Sequence, residues 1–332
     1  MYSKMKLLNP LQTKSLILFV MIALQTTYIF AEESHLQFKS NFDNTAVTRD
    51  RITKPVLSGT DNTTGYTWPN DLPGDTSRHW FNYVMGDYSN WKNYVESEVL
   101  TTDGPDGNPT KALYLEFKKD DKSFVSYSRS QYIMHAKPGT DQLQNLNKMY
   151  WKFKMRMHPK NTMDWWLPLE WKMNGETSRV GLYISGLDTS KPYWKLKHQK
   201  GTSGVKGNQW IETSETAVPS PGEWFELECY WYSSNKSDGF WRIAVNGEEI
   251  ISHYGPNRLS TDDSNRYMYI MPFKVYGSAG SIWYSDFEIW DNPPSSSVLS
   301  NNYNPDTPPI EKEKPVIKKG PFIMDSKNGE FN

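Results

Sequence analysis

The chain has 332 residues, with 37 Lys and Arg against 38 Asp and Glu, one cysteine and an aromatic fraction of 14%. A single cysteine excludes an internal disulfide, and near-neutral charge argues against a nucleic-acid binder that tracks phosphates. The aromatic content is too high for a disordered chain, and the length suits one large domain or two small ones.

The first 31 residues have the features of a secretory signal peptide. Three lysines precede an apolar stretch, Ser15 to Phe30, and the small residue Ala31 stands at a suitable cleavage point. The densest apolar part is too short to span a bilayer comfortably. We therefore expect a secreted protein, extracellular or periplasmic, with no membrane association after the signal is removed. An uncleaved membrane anchor is the alternative.

Residues 32–292 are predicted to form one all-β domain. Turn dipeptides separate short runs that are rich in Tyr, Trp, Phe, Ile and Val, and most runs alternate with period two. Asn246-Gly247 between two such runs predicts a β-hairpin. The predicted strands are Ala112–Lys118, Ser123–Ile133, Met149–Met157, Trp165–Met173, Arg179–Ile184, Tyr193–Gln199, Trp224–Tyr232, Phe240–Val245, Tyr267–Tyr276 and Ile282–Trp290. About ten strands of this kind indicate a two-sheet sandwich or jelly roll.

The composition changes after Trp290. Residues 293–332 are rich in Pro, Ser, Asn and Lys and lack apolar periodicity. This segment is predicted to be a flexible tail or linker.

Strand alternation predicts which side chains share a face. In Trp165–Asn174 it assigns Leu167, Leu169, Trp171 and Met173 to the core and groups Trp166, Glu170 and Lys172 on the opposite face. In Tyr267–Tyr276 it assigns Tyr269, Met271, Phe273 and Val275 to the core and Lys274 and Tyr276 to the opposite face.

Two further strands carry cations at alternate positions. Arg129 and Gln131 share one face of Ser123–Ile133, and Lys195 and Lys197 share one face of Tyr193–Gln199. A concave sheet with cations and exposed aromatics suits an acidic polysaccharide, because cations hold carboxylate or sulfate groups while aromatic rings stack on sugars. An ordinary solvated sheet face is the alternative.

Four segments resemble jelly-roll polysaccharide lyases of the heparinase I-like and alginate-lyase-like superfamily. MYWKFKMRMHPKNTMDWWLPLEWKMN resembles their central region, and SRSQY resembles their Arg-Ser-Glu-Leu strand. PGEWFELECYWY with DGFWRIAVNGEEI resembles the hairpin of the concanavalin-like fold, and PFKVYG with SIWYSDFEIWD resembles the closing strands. The resemblance spans roughly Ala112 to Trp290.

The sequence departs from this family at two positions. The family's Gln-x-His pair reads Glu170-Trp171-Lys172, and the Glu of its first motif is Gln131. Either activity is lost, or Lys172 substitutes for the histidine, which resembles the jelly-roll ulvan lyases of marine bacteria that pair a lysine with a tyrosine.

The resemblance implies β-elimination beside a uronic acid, with Tyr276 and Lys172 as catalytic residues. Either one could be the base, and nearby cations such as Lys274 would help a tyrosine to act as one. Arg129 and Gln131 would hold the uronate carboxylate, and Glu170 would orient Lys172. Ulvan is the preferred substrate, with alginate, glucuronan and glycosaminoglycans as alternatives.

The remaining site predictions concern histidines and metals. His253 with Arg258 is predicted at the groove rim, and Trp166, Lys195 and Lys197 are predicted to bind substrate; the other histidines are assigned structural or surface roles. No spacing of ligands indicates zinc, and no cofactor is expected, although the loop Asp103–Asp106 could hold a structural calcium ion. The protein is expected to be a monomer that binds no nucleic acid.

Two other functions compete with the lyase. A non-catalytic glycan-binding protein on the same scaffold would explain the loss of Gln-x-His. A laminarinase-type glycoside hydrolase shares the fold but needs an E-x-D-x-x-E strand, and Glu288-Ile289-Trp290-Asp291 has the wrong spacing.

Overall fold

The computed structural model describes residues 33–48, 54–84, 91–118, 129–136, 144–159, 164–173, 178–202, 205–259, 268–276 and 279–300. The predicted signal peptide and residues 301–332 of the predicted tail lie outside this part of the chain. So do residues 119–128, which include the first half of the predicted strand Ser123–Ile133.

Strands dominate the described residues. They are β1 Leu36–Ser40, β2 Ala46–Thr48, β3 Val56–Thr60, β4 Thr67–Trp68, β5 Trp80–Val84, β6 Val95–Asp103, β7 Pro109–Phe117, β8 Arg129–His135, β9 Lys148–Met157, β10 Trp165–Met173, β11 Ser178–Ser185, β12 Tyr193–Thr202, β13 Val205–Ser214, β14 Trp224–Tyr232, β15 Phe240–Val245, β16 Glu248–Tyr254, β17 Met268–Tyr276 and β18 Gly280–Trp290. One short helix, α1, covers Gln144–Asn147. Within the described residues, no helix has the length and apolar character needed to cross a membrane.

The strands form two large antiparallel sheets and one small one. The eight-stranded sheet runs β16-β15-β14-β9-β18-β7-β6, with β1 also paired to β18. The seven-stranded sheet runs β13-β12-β11-β10-β17-β8-β5, and β2-β3-β4 make the third. Sequence neighbours are often separated in these orders, as in jelly rolls, so the predicted all-β jelly-roll fold is confirmed.

The hydrophobic core lies between the two large sheets. Phe273 of β17 packs against Tyr284 and Phe287 of β18, with ring centroids 5.0 and 4.9 Å apart. Further along, Trp194 of β12 meets Phe225 of β14 at 6.0 Å. Apolar residues at alternate positions supply these contacts, so each sheet keeps its other face available for polar side chains.

Two local sequence signals have the structure they predict. Asn246 and Gly247 both take positive φ, 48° and 76°, as the tight turn between β15 and β16 requires.

Cys229 of β14 is fully buried, and burial raises the pKa of its thiol well above the usual value. The exported fold that the sequence predicts therefore has an unreactive thiol and no disulfide among its described residues.

The domain extends beyond the predicted boundary at residue 292. Leu299 is buried, and its carbonyl accepts a hydrogen bond of 2.8 Å from Nη1 of Arg242. Ser297 donates a hydrogen bond to the buried carboxylate of Glu228. The prediction that the tail begins at 293 is wrong for residues 293–300, because this polar segment satisfies buried groups on the eight-stranded sheet.

Candidate functional site

The face of the seven-stranded sheet that points away from the core, called here the outer face, gathers most of the predicted site residues. Register pairs Tyr276 with Arg129 and Lys274 with Gln131 between β17 and β8. On the other side of β17, Lys172 of β10 pairs with Tyr269. Three strands therefore bring these side chains together from distant parts of the sequence.

An irregularity in β10 decides which of its tryptophans reaches this face. The register with β11 shifts between Trp166 and Leu169, a stretch that contains Pro168. Proline cannot donate to a sheet ladder and is tolerated at bulges. Trp166 consequently joins the core, fully buried, with its Nε1 donating to the carbonyl of Lys274 at 2.8 Å. The prediction that Trp166 shares the face of Glu170 and binds substrate is wrong.

A second irregularity in β17 has the same effect. The register with β8 shifts between Ile270 and Phe273, around Pro272. Ile270, Phe273 and Val275 therefore face the core, whereas Tyr269 and Met271 pair with the outer-face residues of β10. The prediction that Tyr269 and Met271 point inward is wrong, while that for Phe273, Val275, Lys274 and Tyr276 is confirmed.

Glu170 lies at the centre of the outer face with three cations around it. Its carboxylate contacts the ammonium of Lys274 and lies 3.2 Å from Nε of Arg179 and 3.7 Å from Nζ of Lys172. The Glu170, Lys172 and Lys274 side chains are each at most 3% exposed. Charges this deeply buried are tolerated only when they are paired.

Burial and charge act in opposite directions on this group. Burial would raise the pKa of Glu170, but Lys274, Lys172 and Arg179 hold it far below its usual range. Burial lowers the pKa of Lys274 to about 7, with Arg129 and Lys172 adding to the effect and Glu170 opposing it. Lys274 is thus the ammonium group whose charge costs most to maintain.

Tyr276 lies beside the cluster within reach of several cations. Nζ of Lys274 is 4.9 Å from the centroid of its ring, and the guanidinium carbon of Arg129 is 5.6 Å away. Trp165 meets the ring edge-on at 5.1 Å. These neighbours fix the position of the ring and would stabilise a phenolate. Trp165, rather than Trp166, is the tryptophan of β10 that contacts the site.

Arg129 and Gln131 carry polar atoms that the protein does not satisfy. Nε of Arg129 and Oε1 of Gln131 are buried and have no hydrogen-bond partner among the described residues. Gln131 is only 3% exposed. Unpaired buried polar groups are costly, and a bound ligand is one way to satisfy them.

Strand β11 contributes residues that the sequence did not single out. Arg179 donates to Oε1 of Gln199 at 2.7 Å and lies 3.5 Å from the hydroxyl of Tyr183. Burial alone would lower the pKa of Arg179, but the charge of Glu170 raises it, with the hydroxyls of Tyr183 and Tyr276 adding to the effect where they ionise. Arg179 and Tyr183 alternate with Val180, Leu182 and Ile184, so the pattern that identified the other strands would have identified these residues.

Lys195 and Lys197 lie on the outer face of β12, as predicted. Nζ of Lys197 is 4.3 Å from the ring centroid of Tyr183, and Nζ of Lys195 is 5.5 Å from it. Both lysines therefore extend across β11 towards the cluster around Glu170.

His253 does not reach the outer face. Its ring stacks on Trp210 at 3.7 Å, and its Nδ1 is 3.0 Å from Oε1 of Glu212. Trp210 pairs with His198, which is buried on the core side of β12. The predicted position of His253 at the groove rim is wrong, because β16 belongs to the other sheet and lies against the edge strand β13.

The described contacts of Arg258 are made by its backbone. Its backbone N–H donates to the carbonyl of Ser234 at 3.1 Å, and the next residue, Leu259, donates to Oγ of Ser178. Ser178 in turn is 3.3 Å from Nε2 of His198 on the core side of the sheet. These are backbone contacts, so the grouping of Arg258 with the substrate-binding residues stays a prediction.

A histidine assigned a structural or surface role lies on the outer face instead. His135 pairs with Tyr269, and its ring lies between Tyr269 and Trp80 at 5.6 and 5.2 Å. Burial lowers its pKa to about 4, as it does for His79, whose Nδ1 accepts the backbone N–H of His135. Both imidazoles are neutral at pH 7.

The described residues contain no group of three or more His, Cys, Asp or Glu side chains that could hold a metal ion. In the loop predicted as a calcium site, the carboxylate of Asp106 accepts hydrogen bonds from the backbone and side chain of Asn108. The carbonyl of Asp103 accepts a hydrogen bond from the Nε1–H of Trp224. These contacts stabilise the turn, and the calcium ion stays a prediction.

Comparisons with known proteins find similarity in structure only. No family model matches the chain, and no curated protein does. An endo-β-1,4-glucuronan lyase from the fungus Trichoderma reesei is 12% identical over 62% of this chain and 93% of its own, with a TM-score of 0.42. A variant of alginate lyase Aly36B in complex with an alginate tetrasaccharide is 11% identical over 77% and 96%, with a TM-score of 0.43.

Not all similar structures are lyases. The β-agarase A of Zobellia galactanivorans is 10% identical over 78% of this chain and 92% of its own, with a TM-score of 0.41. Likenesses this distant carry no information about activity, so any function must be argued from the residues of the outer face.

Proposed function

We propose that this protein is a secreted polysaccharide lyase that cleaves a uronate-containing polymer by β-elimination. The observation that supports this proposal most strongly is the positive charge of the outer face. Among the described residues, the strands β8, β10, β11, β12 and β17 carry a single carboxylate on this face, Glu170, and six cations: Arg129, Lys172, Arg179, Lys195, Lys197 and Lys274. A surface of this kind attracts a polyanion.

Arg129 and Gln131 are the proposed carboxylate clamp. Their unpaired Nε and Oε1 atoms are buried next to Tyr276 and Lys274. A guanidinium that holds the uronate carboxylate withdraws charge from C5 and makes its proton easier to remove. Gln131 would donate from Nε2 to the same carboxylate, and its Oε1 would accept a hydrogen bond from a sugar hydroxyl.

Tyr276 and Lys172 are the proposed proton-transfer pair. Tyr276 has Arg129 and Lys274 against its ring, so it is the better base, whereas Lys172 pairs with Glu170 and is the better acid. The base takes the C5 proton, the C5–H electrons form the C4–C5 double bond, and the C4–O4 bond breaks. The leaving O4 then receives a proton from the acid.

The test is turnover of defined polymers by the mature chain. Ulvan, the substrate we favour, is compared with alginate, glucuronan and heparin by following the ultraviolet absorbance of the unsaturated uronate product. Tyr276→Phe and Lys172→Ala should each lower kcat at least 100-fold. Tyr114→Phe and Lys154→Ala, on the eight-stranded sheet, are matched controls that should retain wild-type rates. Near-normal turnover in both site variants would rule out the assignment.

A non-catalytic glycan-binding protein is the second candidate. Its support is the burial of Glu170 among Lys172, Lys274 and Arg179, because a carboxylate inside the site consumes cationic charge that a reacting uronate needs. Binding of a polymer by wild-type protein, without any rise in absorbance, would favour this function.

A further inference from the structure

Lys195 and Lys197 are half-buried on the outer face and, like Arg129 but unlike Lys172, Lys274 and Arg179, have no carboxylate partner among the described residues. Their recorded contacts are with aromatic rings: Tyr183 for both, and Tyr193 at 5.7 Å for Lys195. Two lysines of the eight-stranded sheet are paired by contrast, Lys152 with Glu226 at 3.0 Å and Lys154 with Asp286 at 2.9 Å. Among the described residues, then, no carboxylate lies within salt-bridge distance of this lysine pair.

The two ammonium groups are also crowded by a third cation. Burial lowers the pKa of Lys197 to about 8, with the nearby charges of Lys195 and Arg179 adding to the effect and Glu170 opposing it. Like charges held together on rigid strands repel one another, and a bound anion removes that cost.

Tyr183 lies over the strand between these lysines and the cluster around Glu170. Register aligns Glu170, Gly181 and Lys197 on three adjacent strands, so the Cα atoms of Glu170 and Lys197 are about 10 Å apart. Gly181 has no side chain, and a Cβ there would lie 2.8 Å from the ring of Tyr183. The glycine thus lets this ring lie over β11, where the ammonium of Lys197 contacts it.

We propose that Lys195 and Lys197, with Tyr183 between them, form a subsite for a second anionic group, a carboxylate or a sulfate, on a sugar next to the one that reacts. This inference rests on the proposed function and narrows its substrate class. The substrate is a polymer with negative charge on neighbouring sugars, and an isolated uronate between neutral sugars binds poorly.

The test separates binding from turnover. Lys195→Gln/Lys197→Gln is compared with Lys200→Gln, which removes one exposed lysine from the opposite face of the same strand. KM is measured on the polymer that wild-type protein cleaves best. Dissociation constants are measured in the Tyr276→Phe background for polyglucuronate and for a sulfated uronate polymer before and after desulfation.

We expect the double variant to raise KM and the dissociation constant at least tenfold while kcat changes less than threefold, and Lys200→Gln to change neither. Weaker binding of only the sulfated polymer identifies sulfate, and equal weakening on polyglucuronate identifies a carboxylate. Unchanged KM and affinity, or a fall in kcat alone, overturns the subsite. If wild-type protein cleaves nothing but the double variant still loses affinity, the lyase proposal fails and the subsite stands.

Discussion

Glu170 determines how the cations of the outer face are arranged. It contacts Lys274 and Arg179 and lies 3.7 Å from Lys172, so one carboxylate holds three side chains from three strands. Arg129, Lys195 and Lys197 stay outside this group. The same residue therefore divides the cations into a fixed set and a set that a ligand can use.

Removing this carboxylate should be costly. Glu170→Gln leaves buried cations without their counter-charge, and we expect a loss of about 3 to 5 kcal/mol in the free energy of unfolding, measured in urea. Glu170→Gln/Lys274→Met also removes the most deeply buried ammonium and should recover part of that loss. A double variant less stable than the single one would contradict this account of the cluster.

His79 and His135 make stability depend on pH below neutrality. Their pKa values are about 4 in the folded protein and near 6.5 when unfolded, so the unfolded chain binds more protons between these limits. Stability should be fully present above pH 6.5 and fall as the pH drops towards 4, by roughly 2 kcal/mol at pH 5 for His79 alone.

The measurement compares urea unfolding at pH 7.5 and pH 5 for wild type and His79→Gln. A glutamine amide can still donate to the carbonyl of Pro73 that His79 now contacts at 3.0 Å. The variant should lose less stability between the two pH values than wild type does. Equal losses would show that His79 is not among the groups responsible.

The elements show where strand alternation predicts the site and where it fails. It correctly assigned Glu170, Lys172, Lys274, Arg129 and Gln131 to one face, because each lies in a regular stretch. It failed for Trp166 and Tyr269, since a bulge near a proline exchanges the two faces and alternation cannot count the extra residue.

Gly181 offers a test of how β11 shapes the groove. In Gly181→Ala the new Cβ would meet the ring of Tyr183 at 2.8 Å and Cδ1 of Leu167 at 3.0 Å. Tyr183 must then shift relative to Lys197, and we expect polymer affinity to fall several-fold with a small loss of stability. Gly207→Ala on β13, where a Cβ meets nothing within 4 Å, is the matched control. Wild-type affinity in Gly181→Ala would show that this position of the Tyr183 ring is not needed for binding.

At the scale of the whole molecule, residues 293–300 complete the domain, whose predicted end is residue 292. Composition could not reveal this, because Ser297 and Leu299 are held by Glu228 and Arg242, which lie more than 50 positions earlier. The wrong prediction for the position of His253 has the same origin. Alternation predicts faces within a strand, but which sheet a strand joins depends on long-range pairing.

Truncation measures what this segment contributes. A chain that ends at Asn292 loses the burial of Leu299 and leaves Arg242 and Glu228 short of partners. Compared with a chain that ends at Asn301, it should unfold with at least about 3 kcal/mol less stability. Equal melting temperatures for the two truncated chains would mean that the segment adds nothing.

The lone buried thiol gives the molecule a built-in reporter of its own opening. Cys229 lies on β14 in the interior, so a thiol reagent added to native protein can modify it only after the sandwich separates. The rate of that labelling, followed by mass spectrometry, would report how often the structure opens. It would not depend on the overlapping fluorescence of 14 tryptophans. A ligand that binds only the folded protein should slow the labelling in proportion to its affinity for the folded state.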